Sequence, residues 1–351
     1  MSILDPKPAT KGDLDKKLDI ATAQVQFTSA YSDLAAPLAA KVKFVKSANN
    51  PILDTDDTTA AGFPTLLWPW VLNVKDILPT RLGDYYMWFS TDHAGTAGQV
   101  GMAYANNLEG PWTVRGVVYK DTNSGNETET PAVVWDADAN QFVMYYQQVA
   151  PSGGIASQCT LYATSADGVN WTRGGIALDI PSASEYPTSA HTGYFRPFRI
   201  GDSWIAYSLL AGTSGSRFAI SYSTDGRNWK LDPRPLGYGA EWLPVGERIE
   251  WNTSNVVLWR GQYVWIGLIS SFSSGYEVRT SYFAMAPLSP DFRSLAGKPR
   301  QLFGPTQPWE TTYMQQGHAF VDNGSLWLAY RSGMGDATTK HAFGVAKVGA
   351  L

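Results

Sequence analysis

The sequence predicts an all-β fold: a five-bladed β-propeller that follows a short N-terminal helical or extended segment. The first observation is a unit that recurs five times, made of a tight turn, an aromatic-rich strand, a loop and a second strand. The second is the spacing of these units, about 60 residues, since a regular period made of short strands indicates an array of similar sheets. The third is an aromatic content of 13%, which suits the spaces between packed blades. Two unrelated β-sandwiches, the alternative, account less well for five copies in register.

Each unit begins at a residue that tolerates a positive φ angle, as a tight turn requires. The five turn residues are Gly83, Asn140, Gly201, Gly261 and Gly324. In a propeller the innermost strands line the axial channel, and the loops that lead into them form its mouth. These inner strands are predicted within Thr65–Val74, Pro131–Trp135, Tyr194–Ile200, Asn255–Trp259 and His318–Asp322.

The N-terminal segment, residues 1–46, lies outside the repeat, and residues 47–351 form the predicted propeller. The segment contains a narrow apolar seam at helical spacing: Leu14, Leu18, Ala21 and Val25. A helix this short is marginal in water by itself. We therefore expect residues 10–30 to associate with copies of themselves or with another protein; packing on the propeller rim is the alternative. Lys41–Lys46 alternates like a short exposed strand or linker.

Composition and charge exclude several classes of function. Only 17% of the residues are charged, the formal net charge is −4 and no basic stripe is present, so a nucleic-acid partner is not expected. No apolar run approaches the length of a membrane helix, so no membrane insertion is expected. The N-terminus lacks the pattern of a signal peptide, which predicts synthesis in the cytoplasm without standard export. The single cysteine, Cys159, is expected to be a buried small hydrophobic residue.

Reactive side chains concentrate where the predicted inner strands begin. Glu129 and Glu250 lie at the same distance before their turns, so the repeat places them at comparable depth in two blades. Two facing carboxyl groups are what glycosidic cleavage requires. His191 joins them as a candidate catalytic residue. Glutamates in such positions are also commonly solvated or bonded to backbone amides, and that structural interpretation stays open for each of them.

Candidate substrate contacts are polar or aromatic residues at the same mouth. They are Arg196, Tyr194, His318, His93, Asp92, Trp70 and Trp251. The tryptophans would offer flat faces on which sugar rings stack. No metal-ligand pattern is present in the sequence.

The last unit resembles the final blade of family-43 glycoside hydrolases. The resemblance lies in Gln316-Gly317-His318, followed by the strand Gly324–Tyr330, and in the Glu129-Thr130-Pro131 stretch. It implies hydrolysis of furanosides such as arabinans, with His318 as an axial residue and a metal ion possible near it, although no cofactor is required. The family's base would lie in the first inner strand, and Thr65–Asn73 contains no carboxylate. Binding without turnover is therefore the slightly favoured expectation.

A second resemblance concerns the N-terminal segment. Pro8–Leu18 is similar to the leader of minor tail proteins from actinobacterial phages, and the absent signal peptide agrees with assembly in the cytoplasm. The first hypothesis is therefore a virion protein of the phage tail. Its propeller would bind, and when active cleave, an arabinan-like host cell-wall polysaccharide, while other tail proteins hold its N-terminal segment. The alternatives are a free glycoside hydrolase, or a polysaccharide lyase in which His191 or Tyr194 removes a proton and Arg196 neutralises a uronate.

Overall fold

The computed structural model describes most of the chain from residue 42 onward. The described residues are 42–63, 65–92, 98–122, 127–149, 158–180, 191–212, 215–232, 234, 236–237, 239, 241–272, 278–310, 314–332 and 341–348. The predicted N-terminal helix with its seam, and His93, lie outside them. No helix among the described residues is long and apolar enough to cross a membrane.

Five antiparallel sheets form the described part of the chain, and they confirm the predicted propeller. Two short strands, β1 (Phe44–Lys46) and β2 (Leu53–Asp54), and the short helix α1 (Thr55–Thr58) come first. Blade 1 contains β3 (Leu67–Asn73), β4 (Tyr85–Ser90), β5 (Val100–Ala105) and β6 (Thr113–Tyr119). Blade 2 contains β7 (Glu129–Asp136), β8 (Gln141–Val149), β9 (Gln158–Ser165) and β10 (Thr172–Leu178).

The remaining blades repeat this order. Blade 3 contains β11 (Arg196–Ile200), β12 (Ser203–Gly212), β13 (Gly215–Ser223) and β14 (Lys230–Leu231). Blade 4 contains β15 (Glu247–Trp259), β16 (Gln262–Phe272), β17 (Val278–Pro287) and β18 (Arg300–Phe303). Blade 5 contains β19 (Met314–Asp322), β20 (Ser325–Ser332) and β21 (Ala342–Val348). Each of the five predicted inner-strand regions overlaps the first strand of its blade, but β7, β15 and β19 begin earlier than predicted, at Glu129, Glu247 and Met314.

The turn of blade 3 differs by one residue from its predicted alignment. Ile200 pairs with Ser203, so Gly201 and Asp202 form a two-residue turn. Asp202 therefore occupies the position of Gly261 and Gly324, while Gly201 supplies the positive φ of 55° one residue earlier.

Blade 5 takes its outermost strand from the N-terminal side of the chain. Strand β1 pairs with β21, with Val45 opposite Lys347, so residues 44–46 belong to a propeller sheet although they fall in the range assigned to the N-terminal segment. Strand β2 also pairs with β21. Joining the two ends of the chain in one blade closes the ring. The sequence pattern shows only a short strand there, because its partner lies about 300 residues away.

The hydrophobic core is divided among the contacts between neighbouring blades. Each of the five neighbouring pairs has a cluster of buried residues of its own. Cys159 is buried in the cluster between blades 1 and 2, as expected. Because both faces of each sheet are covered, aromatic residues are buried on both faces of the strands.

Candidate functional site

Four blades have a residue in the left-handed region at the same position, which lies within the inner strand of blades 1, 2 and 5 and just before the inner strand of blade 3. These residues are Trp68, Thr130, Tyr194 and Gln316, with φ angles of 51°, 55°, 52° and 39°. The sheet ladders continue two residues later at Trp70, Ala132 and Arg196, and one residue later, at Gly317, in blade 5. Residues other than glycine adopt positive φ at a cost in free energy, and such strain clusters at functional sites. The bulges therefore mark this end of the channel as the candidate site.

Side chains from the preceding blade hold three of these bulges. In each case the backbone N–H of the left-handed residue donates a hydrogen bond to a side-chain oxygen. The pairs are Trp68 to Gln316 Oε1 (2.9 Å), Thr130 to Ser90 Oγ (2.8 Å) and Tyr194 to Gln147 Oε1 (3.1 Å). The sequence analysis did not assign Ser90 or Gln147 a role. Their only signal is a polar residue in an otherwise apolar second strand.

Glu129 is fully buried beside the bulge of blade 2. Gln147 Nε2 donates to its Oε2 at 3.4 Å, so one glutamine side chain contacts both Glu129 and the backbone of Tyr194. Gly98 packs against the same side chain, and a Cβ there would lie 2.7 Å from Glu129 Cγ. Glycine at position 98 is what admits the carboxyl group to this place.

Glu250 occupies the equivalent rung of blade 4. Glu129 pairs with Gln147 and Glu250 pairs with Leu268, and these partners lie equally far beyond their turns. Arg248 Nε donates to Glu250 Oε1 at 2.7 Å. Burial nevertheless raises the pKa of the Glu250 carboxyl, against the attraction of Arg248. The predicted equivalence of the two glutamates is thus found in the sheet register, whereas their surroundings differ.

Tyr194 and His191 stack on each other, with ring centroids 5.3 Å apart and an angle of 18° between the rings. Trp68 and Tyr194 form an edge-to-face contact, with ring centroids 5.5 Å apart. The backbone N–H of Gly193 donates to His191 Nδ1 at 2.8 Å, so the proton of the neutral imidazole lies on Nε2. Burial and the negative charges of Glu129 and Glu127 raise the pKa of Tyr194. A raised pKa keeps the Tyr194 hydroxyl protonated at neutral pH, so Tyr194 is not a ready base for the lyase alternative.

Arg196 follows this pair at the start of β11 and is only 3% exposed. Its Nε donates to the backbone carbonyl of Asn252 at 2.8 Å, and its guanidinium carbon lies 5.7 Å from the ring centroid of Trp70. Burial lowers the pKa of Arg196 to about 10, opposed by Tyr194. The group is still a cation at neutral pH.

His318 lies in blade 5, but it packs against Trp70, the same tryptophan that Arg196 contacts. The imidazole and the Trp70 ring are stacked with centroids 3.8 Å apart. Val71 N donates to His318 Nδ1 at 3.1 Å, which leaves Nε2 as the protonated nitrogen of a neutral ring. Burial, and then the charge of Arg196, hold the pKa of His318 well below its usual range. A metal ion near His318 would have to displace the Nε2 proton, and the described residues contain no group of three potential metal-ligating side chains.

Two expected sugar-stacking residues are core residues, which corrects their assignment. Trp70 is 2% exposed and its Nε1 donates to Val133 O; Trp251 is fully buried and its Nε1 donates to Gly237 O. Both belong to clusters between blades, so neither ring presents a face to a ligand. Asp92 is half-buried just beyond β4, and His93 lies outside the described residues.

Contacts connect most of the remaining candidates around the channel. We call the following group the axial cluster: Glu129, His191, Tyr194, Arg196, Asn252, Glu250 and His318. Gln147 joins Glu129 to Tyr194, Trp70 joins Arg196 to His318, and Asn252 joins Arg196 to blade 4. Glu250 is included in the cluster because it lies two residues before Asn252 in the chain.

Comparisons with known proteins agree with this architecture. No family model and no curated protein sequence matches the chain. The catalytic domain of the GH62 α-L-arabinofuranosidase of Coprinopsis cinerea matches with a TM-score of 0.57 and 11% identity, covering 88% of this chain and 97% of that one. The GH32 β-fructofuranosidase of Bombyx mori matches with a TM-score of 0.55 and 12% identity, covering 93% of this chain and 67% of that one. At these identities the comparisons establish a shared fold with five-bladed glycoside hydrolases. They do not support the phage-leader resemblance of residues 8–18.

Proposed function

We propose that the propeller binds a glycan at the axial cluster and hydrolyses a glycosidic bond there. In this proposal Glu250 is the general acid and Glu129 is the carboxylate that acts as base or nucleophile. The observation that carries it is the pair of buried glutamates at equivalent rungs of two blades, in unlike surroundings. Glycoside hydrolysis uses two carboxyl groups in different surroundings, one as the general acid and the other as base or nucleophile.

The surroundings of each glutamate support its role. Arg248 binds Glu250 Oε1, and Oε2 has no hydrogen-bond partner among the described residues, so Oε2 can carry the proton that goes to the leaving oxygen. Burial raises the pKa of Glu250, which keeps that proton bound to higher pH. Glu129 accepts a hydrogen bond from the side-chain amide of Gln147, which holds its Oε2 in place for the role of base or nucleophile.

Substitution of each glutamate by glutamine tests the assignment. Glu129→Gln and Glu250→Gln should each lower kcat by about 10²–10⁴-fold, because each loses one half of the acid–base pair. Glu247→Gln is the matched control: it lies in the same strand as Glu250, where it accepts a hydrogen bond from Tyr282. Arabinan-type oligosaccharides are the first substrates to assay, since the family-43 resemblance favours furanosides.

The products decide between mechanisms. Hydrolysis adds one water to the products, whereas elimination by a lyase does not, so mass spectrometry distinguishes them. Full activity in either glutamine variant would contradict the catalytic roles of Glu129 and Glu250.

A second candidate function is recognition of a glycan without cleavage. Leu67 favours it, because this apolar residue occupies in blade 1 the rung that Glu129 and Glu250 occupy in blades 2 and 4. This is the function that a phage tail protein would use on a host cell-wall polysaccharide, anchored through residues 10–30. Binding of the same oligosaccharides with no product over long incubation would favour it over hydrolysis.

A further inference from the structure

Arg196 is a buried cation that has no counter-ion in the described part of the chain. It is 3% exposed, and it forms no ion pair with any residue that the structure describes; its one hydrogen bond, from Nε, goes to the Asn252 carbonyl. Removing a charge from water costs several kcal/mol unless a partner compensates it. In contrast, Arg248 in the next blade contacts a carboxylate at 2.7 Å. The terminal nitrogens of Arg196 are therefore donors without an acceptor among the residues that the structure describes.

A second unpaired polar group lies beside this arginine. Asn252 Oδ1 is buried and has no hydrogen-bond partner among the described residues. Its own backbone carbonyl is the group that Arg196 Nε contacts, so the amide side chain and the guanidinium belong to one small region. A buried acceptor without a partner destabilises the fold, and a ligand hydroxyl that donates to it would supply the missing hydrogen bond.

We propose that this region is a subsite for an acidic sugar, in which Arg196 binds the carboxylate of a hexuronate residue and Asn252 Oδ1 accepts a hydrogen bond from a hydroxyl of the same ring. The inference rests on the proposed function, because it names the class of glycan that the axial cluster takes. It also changes the expected substrate, since arabinans are neutral.

The neighbours of Arg196 favour a singly charged planar anion. Its guanidinium packs beside the Trp70 ring, and His318, the nearest other basic group of the cluster, is neutral. One guanidinium supplies two parallel N–H donors, which match the two oxygens of a carboxylate. A phosphate dianion would require a second cation, and Arg248 is already paired with Glu250.

Calorimetric titration of the full chain tests the subsite. The probes are trigalacturonate and a glucuronate-containing disaccharide, each paired with its methyl ester, which lacks the charge and adds one methyl group. We expect the acid of one pair to bind about 10- to 100-fold more tightly than its ester, the range of a hydrogen-bonded charge. Arg196→Gln should remove this preference. Arg199→Gln is the matched control, since Arg199 lies in the same strand but pairs with Asp138.

The outcomes separate this inference from the proposed function. If no acid binds at least tenfold more tightly than its ester, or if folded Arg196→Gln keeps the preference, the subsite is wrong even where a neutral glycan is cleaved. If the acid is preferred but never cleaved, the subsite stands and the hydrolytic role of Glu129 and Glu250 falls. The acid and ester arms on the unmodified protein need no variant, so a folding failure of Arg196→Gln leaves the test intact.

Discussion

This propeller contains two buried polar clusters, which differ in whether their buried charges are paired. The closure cluster, Lys46, Asn50, Glu310 and Tyr330, joins strand β1 to blade 5. Lys46 Nζ contacts Glu310 Oε2 at 2.5 Å, and Tyr330 donates to Glu310 Oε1 at 2.9 Å, so the two charges compensate each other. In the axial cluster Arg196 has no such partner among the described residues.

The difference indicates which cluster serves the fold and which serves a ligand. The closure cluster resembles the inside of a stable domain: burial lowers the pKa of Lys46, while burial and Glu310 raise the pKa of Tyr330, and each group has a defined partner. The axial cluster carries an uncompensated cation and strained bulges. Such features cost stability, and proteins retain them mainly where binding or catalysis requires them.

The largest expected effect comes from breaking the closure cluster. Glu310→Ala should lower the free energy of unfolding by about 3–5 kcal/mol, because it leaves the buried Lys46 charge unpaired. Denaturant unfolding measures this. Glu109→Ala is the control, since its contact with Lys347 is 3.7 Å long and partly exposed, and such pairs contribute about 0–1 kcal/mol. A loss as small as that of the control would show that the closure cluster is not structural.

At the axial cluster we expect a substitution to raise, not lower, the free energy of unfolding. Arg196→Met should raise the free energy of unfolding by about 1–3 kcal/mol, because an apolar side chain replaces an uncompensated charge. The same substitution at Arg173 should lower it by about 1–3 kcal/mol, since Arg173 contacts the buried carboxylate of Asp121 at 2.8 Å. Equal destabilisation in both variants would mean that the Arg196 charge is already compensated.

The contrast between these clusters was only partly predictable from the sequence. The repeat of turns predicts five blades and places Glu129 and Glu250 on equivalent rungs, since strand register follows turn position. It does not reveal the closing strand β1, whose partner is distant in the chain. Nor does it show that Trp70 and Trp251 are core residues, because both faces of a blade are covered and alternation then carries no signal. The bulges at Trp68 and Tyr194 could not be predicted either, because neither residue type indicates a positive φ.

A smaller effect on stability is expected at His341, a second neutral histidine, which contacts Arg331. Arg331 contacts both Gln315 and His341, and burial with the Arg331 charge lowers the pKa of His341 to about 4. Because the folded protein then binds fewer protons than the unfolded chain, stability is full above about pH 6.5 and falls as the pH drops toward 4. We expect about 1–2 kcal/mol from this partly buried group.

His341→Gln isolates that contribution. The glutamine retains an acceptor for Arg331 but does not titrate, so the loss of stability between pH 6.5 and 4 should become shallower than in the unmodified protein. The remaining slope would belong to His318 and to the carboxylates. An unchanged slope would contradict the neutral state of His341 in the fold.

The smallest expected effect concerns Arg248, which is paired with Glu250 of the axial cluster. Arg248 attracts the ionised form of Glu250 and so lowers the pKa of that carboxyl, against the stronger effect of burial. Arg248→Met removes the attraction, and the pKa of Glu250 should therefore move further above its usual value. If Glu250 is the general acid, it stays protonated to higher pH, and the alkaline limb of kcat/KM should move to higher pH, with modestly higher activity above neutrality. Carbon-13 NMR of the Glu250 carboxyl follows the same shift without turnover.

Arg248→Lys keeps the charge and should leave the alkaline limb nearly in place. A limb that moves to lower pH in Arg248→Met would assign it to another group, and a carboxyl whose pKa does not rise would show that Arg248 does not control Glu250.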